Sequence, residues 1–397
     1  MNAVTEAILR RLHAAILWLT TGLHYLDRYY RDAFDRILRP PIVAIVQAII
    51  NRRRPRENLG IAEERLLPGE AEATEAIIEA QSAFTKKTYA TGIAERVGNT
   101  KTYGIVHGTF EVLPDLAVNL RHGVFAEPRS YPVWVRFGGP GPYWPPDMRD
   151  NGLLSIGVKL MGVDAPKLLD DERHTQDFTG LSSPTFTTPD VIENVKLQGW
   201  VRRDMGGFYF LNPRDSHLLD AIMQGLYSRA NTSPLEVNYW STVPYLLGEG
   251  QAMRFAFYPR SSARTPVPKR PGPDYLREAM ARTLAERAVE FDFKVQLQTD
   301  PHRMPIENAS VIWPERASPP ITVARMRLPV QKFDSPEQLA FARSLSFQPW
   351  HCIAEHRPLG SQNRGRRAIY YELSKLRQAM NRDPRIEPDG SERFPGD

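Results

Sequence analysis

The sequence predicts an α+β protein: an antiparallel β-barrel core with surrounding helices, preceded by an amphipathic helical arm. Three observations carry this. Several well-separated segments alternate apolar and polar side chains with the two-residue period of a half-buried strand. The 34 prolines in 397 residues stand well above the usual ~5% and favour many short elements and long connections over a helix bundle. Helical periodicity is confined to a few stretches, and the separated strands suit a sheet that closes on itself with helices outside it.

In chain order, the arm comes first. From Ala7 to Ile50 it mixes apolar and arginine-bearing positions, with Ile8, Leu12, Ala15, Leu19, Leu23 and Leu26 on one helical face. Tyr30, Phe34, Ile37 and Leu38 repeat that face, and Pro40-Pro41 is expected to stop the helix. "IVAIVQAII" and then "NRRRPR" follow. The longest charge-free run, Leu12 to Leu26, falls short of the ~20 residues of a spanning helix. Residues 1–60 hold ten arginines against five acids, so the whole net charge of +5 lies here. The remainder is balanced, which leaves no nucleic-acid footprint. The arm fits an anionic membrane surface contacted through residues 1–56, or else packing on the main domain or on a second subunit of a homo-oligomer.

The body, residues 61–380, begins with a helix over 68–87. "TYGIVHGTFEV" (102–112) and "YPVWVRFGG" (131–139) read as strands, as do "MRFAFY" (253–258), "FDFKVQLQT" (291–299) and "ITVARMRL" (321–328). "FDFKVQLQT" sets Phe291, Phe293, Val295 and Leu297 on one face. "GGPGPYWPP" (138–146) lacks a following helix and reads as a rigid turn. A helix is expected over 274–290. Another opens at Ser335, with Pro336 in its first turn and Gln338 completing a capping box. A polar tail, 381–397, closes the chain.

Much site chemistry is excluded. No dinucleotide fingerprint, phosphate loop or H-E-x-x-H motif occurs, and "GLSSP" is no nucleophile elbow. Cys352 is the one cysteine, so no intrachain disulfide forms and a reducing compartment fits: cytoplasmic, or peripheral at the inner face of a membrane. His351 and His356 beside it have weak metal spacing and read as structural.

"SQNRGRRAIYYELSKLRQ" (361–378) is different. Arg366 and Tyr370 are four apart on one helical face, and Arg377 returns to that face seven residues later. A guanidinium beside a tyrosine stabilises the phenolate, and tyrosinate is an established haem ligand. Arg367 and Tyr371 form a rival pair, but Gln378 stands where the second arginine would be.

From about Arg96 to Arg377 the chain resembles the catalase-like haem proteins, a superfamily of haem catalases and shorter relatives acting on fatty-acid hydroperoxides. The segments that carry the resemblance run in order: "ERVGNTKTYG", "WVRFGG", "GVKLMGV", "TQDFTGLSSPTF", "NYWSTVPYLLG", "MPIENASVIWPE" and "LSFQPWHCIAEHRPLGSQNRGRRAIYYELSKLR". The last is similar to the proximal segment of the short relatives. The resemblance implies haem b as cofactor, Tyr370 as axial iron ligand and Arg366 as its partner. It implies haem propionates held by Arg96, Arg136 and Arg377. It also implies that the C-terminal domain of the large catalases is lacking.

Two positions depart from the family. Asn99 stands where the distal histidine would be, and Ser182 where the distal asparagine would be. Neither titrates near neutral pH, so neither can shuttle a proton between peroxide oxygens. His107 has the strand parity of Asn99, although a structural role suits it better. The reading that follows is a haem enzyme acting on a small organic or lipid hydroperoxide, with Asn99 and Ser182 holding the peroxide oxygens. The alternatives are a catalase or peroxidase using hydrogen peroxide, and a non-catalytic haem- or lipid-binding protein.

Overall fold

The computed structural model describes residues 3–56, 58–139, 141, 144–212 and 214–395. The turn expected at 138–146 falls partly on Pro140, Pro142 and Tyr143, outside the described residues. The body is built on β1 Thr102–Val112, β2 Ser130–Gly138, β3 Ser155–Met161, β4 Thr175–Leu181, β5 Tyr239–Trp240, β6 Tyr245–Leu246, β7 Ala252–Pro259, β8 Val289–Leu297 and β9 Ile321–Leu328. The order β5-β4-β3-β2-β1-β9-β8-β7, with β5 also paired to β7, closes eight antiparallel strands into a barrel, and β6 adds to β7.

Alternation sets what fills it. Burial along β8 alternates residue by residue, and Phe293 points inward to meet Phe110, Phe125, Phe178 and Phe255 at ring distances of 5.0–5.6 Å. β3 departs from that pattern and is buried throughout, because a second layer covers its outer face. Phe347 lies directly on Gly157, where a Cβ would collide with its ring.

The arm is helical from Ala3 to Arg53: α1 Ala3–Gly22, α2 Asp27–Ala33 and α3 Arg39–Arg53, joined by a 3₁₀ turn at Leu23–Leu26 and a π turn at Phe34–Leu38. The stop expected at Pro40-Pro41 therefore does not occur. Both prolines stand in the first turn of α3, and the π turn before them bonds the Arg39 amide to Phe34 O. That is where a missing N–H and a fixed φ are tolerated. One face of the arm docks on the body. Ala230 N donates to Asp27 at 2.6 Å, Arg229 pairs with Asp35 at 2.7 Å, and Gln47 exchanges hydrogen bonds with Ser310 O and Ile312 N.

α4 Glu70–Thr88 matches its predicted span closely. α5 Val191–Val201, α6 Gly207–Leu211 and α7 Leu218–Tyr227 were not legible as helices. In α5 only Val191 is buried, so little apolar period exists to read. The helix expected over 274–290, α8, spans Tyr275–Glu286, because Val289 already pairs with Leu328 in the sheet. α9 Pro336–Ser344 begins where expected, Ser335 accepting the Gln338 amide at 3.1 Å, but the Gln338 side chain donates to Ile105 O at 2.9 Å rather than reaching back to the cap.

α10 Ser361–Asn381 carries the residues of interest. Gly360 turns the chain into it at φ 87°, against Ile306 O, where no Cβ could fit. The tail folds back on the barrel: Trp134 donates to Glu392 at 2.9 Å, and Phe394 packs on Phe341.

Candidate functional site

α10 lies between α4 and the outer wall of the barrel. Gly365 abuts Val191 and Thr74, and the opposite side of the helix turns Arg366 toward β4. Arg366 is buried. It donates to the Tyr370 hydroxyl at 3.2 Å, to Thr179 Oγ1 at 3.0 Å and to Asn363 Oδ1 at 3.0 Å. Its guanidinium carbon lies 4.9 Å from the Tyr370 ring centre. Burial disfavours its charge, but the facing Tyr370 and Tyr245 hydroxyls outweigh that and hold its pKa above the usual value. The rival pair is separated. Arg367 stacks on Trp350 at 5.1 Å and donates to Leu168 O, while Tyr371 lies under Arg385.

A second cluster gathers the other three arginines. Arg377 donates to Leu345 O at 3.0 Å, and Arg96 donates to the same oxygen at 2.6 Å and to Ala342 O at 2.8 Å. Arg136 donates to Asn99 O at 2.7 Å and to Thr102 Oγ1 at 2.8 Å. Buried Glu95 lies within the fields of Arg96, Arg343, Arg136 and Arg377. Burial raises its pKa, and those four cations only partly reverse the effect. Burial brings Arg136 and Arg377 down to about 10 against the opposing pull of Glu95, and both are still cationic at neutral pH. Arg96 Nη1, Arg377 Nε and Glu95 Oε2 are buried without hydrogen-bond partners. Buried guanidinium N–H groups are normally satisfied, so cations in excess of one carboxylate, with donors left over, fit an anionic ligand group.

Asn99 adjoins this cluster through its carbonyl and sits in the left-handed region at φ 54°. Ser182 is tied to the residue before β3: its Oγ accepts the Leu154 amide at 2.8 Å, and its own amide donates back to Leu154 O. No hydrogen bond among the described residues joins it to Asn99 or Tyr370. His107 lies beside Trp134, with its backbone bonded to Gln331. Its parity with Asn99 has no meaning here, since β1 starts only at Thr102.

Among the described residues two trios have metal-ligand geometry, Glu172/Asp177/His351 and Glu193/Asp215/His217. Each already holds a lysine. Lys159 Nζ pairs with Glu172 and with Asp177 at 2.7 Å, and Lys196 Nζ with Glu193 at 2.7 Å and Asp215 at 2.8 Å. His356 is structural: Nε2 faces the Val124 amide at 3.0 Å, and burial pushes its pKa down to about 4. Glu95, Thr179, Asn363 and Tyr245 were not anticipated as site residues. Asn363 could have been found, three residues before Arg366; Thr179 and Tyr245 reach Arg366 only through the fold.

No protein-family profile matches the sequence, and no curated protein does. Solved structures do match. A fungal catalase aligns with a TM-score of 0.57 at 13% identity, over 84% of this chain and 68% of its own. A bacterial catalase aligns at 0.52 and 15% identity, over 86% and 70%. The chain has a catalase-like fold.

Proposed function

We propose that this protein is a haem b enzyme whose iron is held by Tyr370 and whose substrate is an organic hydroperoxide, lipid hydroperoxides included. The observation that carries this reading is the buried Arg366 donating to the Tyr370 hydroxyl while Thr179 and Asn363 fix its plane. A tyrosine so held suits an anionic oxygen ligand. Arg96, Arg136 and Arg377 would take the haem carboxylates, for which the unpartnered N–H groups of Arg96 and Arg377 and the excess charge of all three are fitted. Haem would supply a redox-active iron that cleaves the peroxide O–O bond.

The distal residues decide which peroxide. Asn99 and Ser182 can donate to and orient peroxide oxygens, but neither is a base at neutral pH. Hydrogen peroxide disproportionation draws on such a base, whereas opening or rearranging an organic hydroperoxide depends on it less. A lyase, dehydratase, isomerase or peroxidase is the expected class. Purified full-length protein should show a Soret band and consume linoleate hydroperoxide at least about tenfold faster than hydrogen peroxide. Absence of haem would end this reading. Vigorous oxygen release from hydrogen peroxide would favour a catalase, and no turnover of either peroxide a non-catalytic binding protein.

Asn99→His provides a sharper check. Histidine, like asparagine, tolerates the left-handed backbone, so the fold should accept it. Hydrogen peroxide turnover should rise by about a hundredfold, the scale of a positioned base. Oxygen evolution unchanged from wild type would show that Asn99 is not the distal position.

A further inference from the structure

Over α1 and α2 the arm is inverted: the side docked on the body is polar and titratable, with His13, His24, Asp27 and Arg31 buried. From Phe34 onward the docked side is mixed, Gln47 being buried beside Val46 while Phe34, Ile42, Val43 and Ile50 pack around Met223 and Leu226. The face that the sequence marks as apolar points outward, where Ile8, Leu12, Leu19, Leu23 and Leu26 are 49–60% exposed. Trp18, Tyr29, Ile37 and Leu38 extend the exposed apolar surface along the rod. A helix that buries its polar side and shows its leucines to solvent has an unmet apolar partner.

The charges sort in the same way. Among the described residues of the arm, Glu6 pairs with Arg10, Asp27 accepts the Ala230 amide, and Asp32 and Asp35 both pair with Arg229. Arg11, Arg28, Arg36, Arg52 and Arg53 remain exposed. Uncommitted charge on this surface is therefore cationic. A second copy docked through the same face about a twofold axis would bring arginines against arginines, which costs energy. A bilayer with anionic headgroups answers both features at once: acyl chains take the leucines, phosphates the guanidiniums, and Trp18 and Tyr29 suit the interfacial layer. Among the described residues no helix is long and apolar enough to cross a membrane, so the arm would lie in the interface plane.

From this we infer that the outer face of α1–α3 is a docking surface for an anionic lipid bilayer. This goes beyond the haem reading and stands without it. Full-length protein should co-sediment with phosphatidylcholine vesicles containing phosphatidylserine, far less with phosphatidylcholine alone, and release with salt. Arg11→Gln with Arg36→Gln should weaken binding about tenfold or more, as should Leu19→Ser with Leu23→Ser. All four positions are solvent-exposed, and an unchanged near-ultraviolet dichroism spectrum would show that the fold is intact. Quenching of tryptophan fluorescence by brominated lipid should fall in Trp18→Phe. Vesicle binding that neither pair of substitutions alters would overturn the inference. So would a dimer in solution that the leucine substitutions dissociate while vesicles bind nothing, for then a second copy covers the face.

Discussion

Tyr370→Phe is expected to lose haem: no Soret band after reconstitution, or a band shifted from the wild-type position with occupancy down at least about tenfold, and hydroperoxide turnover lost with it. The cost to the fold should be small. Arg366 keeps its bonds to Thr179 and Asn363, so losing one hydroxyl acceptor amounts to about 1 kcal/mol. A normal thermal transition with an absent haem spectrum would separate ligation from folding. Tyr371→Phe is the control, since that ring lies under Arg385 and away from Arg366, and its spectrum should match wild type. A wild-type spectrum in Tyr370→Phe would mean that another side chain holds the iron.

The largest stability effect is expected at Lys159. Its ammonium is fully buried against Glu172 and Asp177, with His351 and Asp171 alongside. Lys159→Met leaves those carboxylates without their cation, which costs about 3–5 kcal/mol. At about 2–4 °C per kcal/mol for larger domains, the melting temperature should fall by roughly 10 °C. The pH dependence follows from Asp177. Burial alone would raise its pKa, but Lys159 and His351 outweigh that and hold it below the ordinary carboxylate value. A group depressed in the folded state contributes stability above its unfolded pKa of ~3.9 and loses it as pH falls through the folded value. Wild type should thus tolerate acid to below about pH 4, while Lys159→Met should begin unfolding at higher pH. Differential scanning calorimetry across pH checks both, and an unchanged melting temperature would dismiss the ion cluster as a stabilising node.

How much of this was legible depends on range. The strands were readable because Phe291, Phe293 and Val295 report their own pleat, and α9 because Ser335 caps it locally. Arg366 and Tyr370 were readable for the same reason, four residues apart on one turn of helix. The resemblance to catalase-like proteins supplied Arg96, Arg136 and Arg377, which the fold gathers around Glu95. What stayed hidden is what the fold alone creates. Lys159 and His351 meet across 192 positions, and nothing in either neighbourhood announces the other. The helix through Pro40-Pro41 misled because proline reads as a stop until the π turn before it is known. The leucine stripe of the arm was visible, but whether it faced the body or solvent was not.

The barrel closes through β5, and β5 is two residues long. Leu181 with Trp240 on one side, and Tyr239 and Trp240 with Phe257 and Ala256 on the other, are its paired residues, extended on the β7 side by the Ser241 amide donating to Phe255 O at 2.8 Å. Every other wall of the cylinder is a ladder several residues long. Topologically the sheet is a curled ribbon fastened by one short clasp, and so short a ladder is the expected place for local opening. The β4–β5 half of the clasp joins segments that α5, α6 and α7 separate in the chain, whereas its β5–β7 half joins near neighbours, and the longest-range pairing of the cylinder is β1 with β9. Faster amide hydrogen exchange at Tyr239 and Trp240 than along β8 is the expected sign of opening there, immediately beside Ser182 at the end of β4.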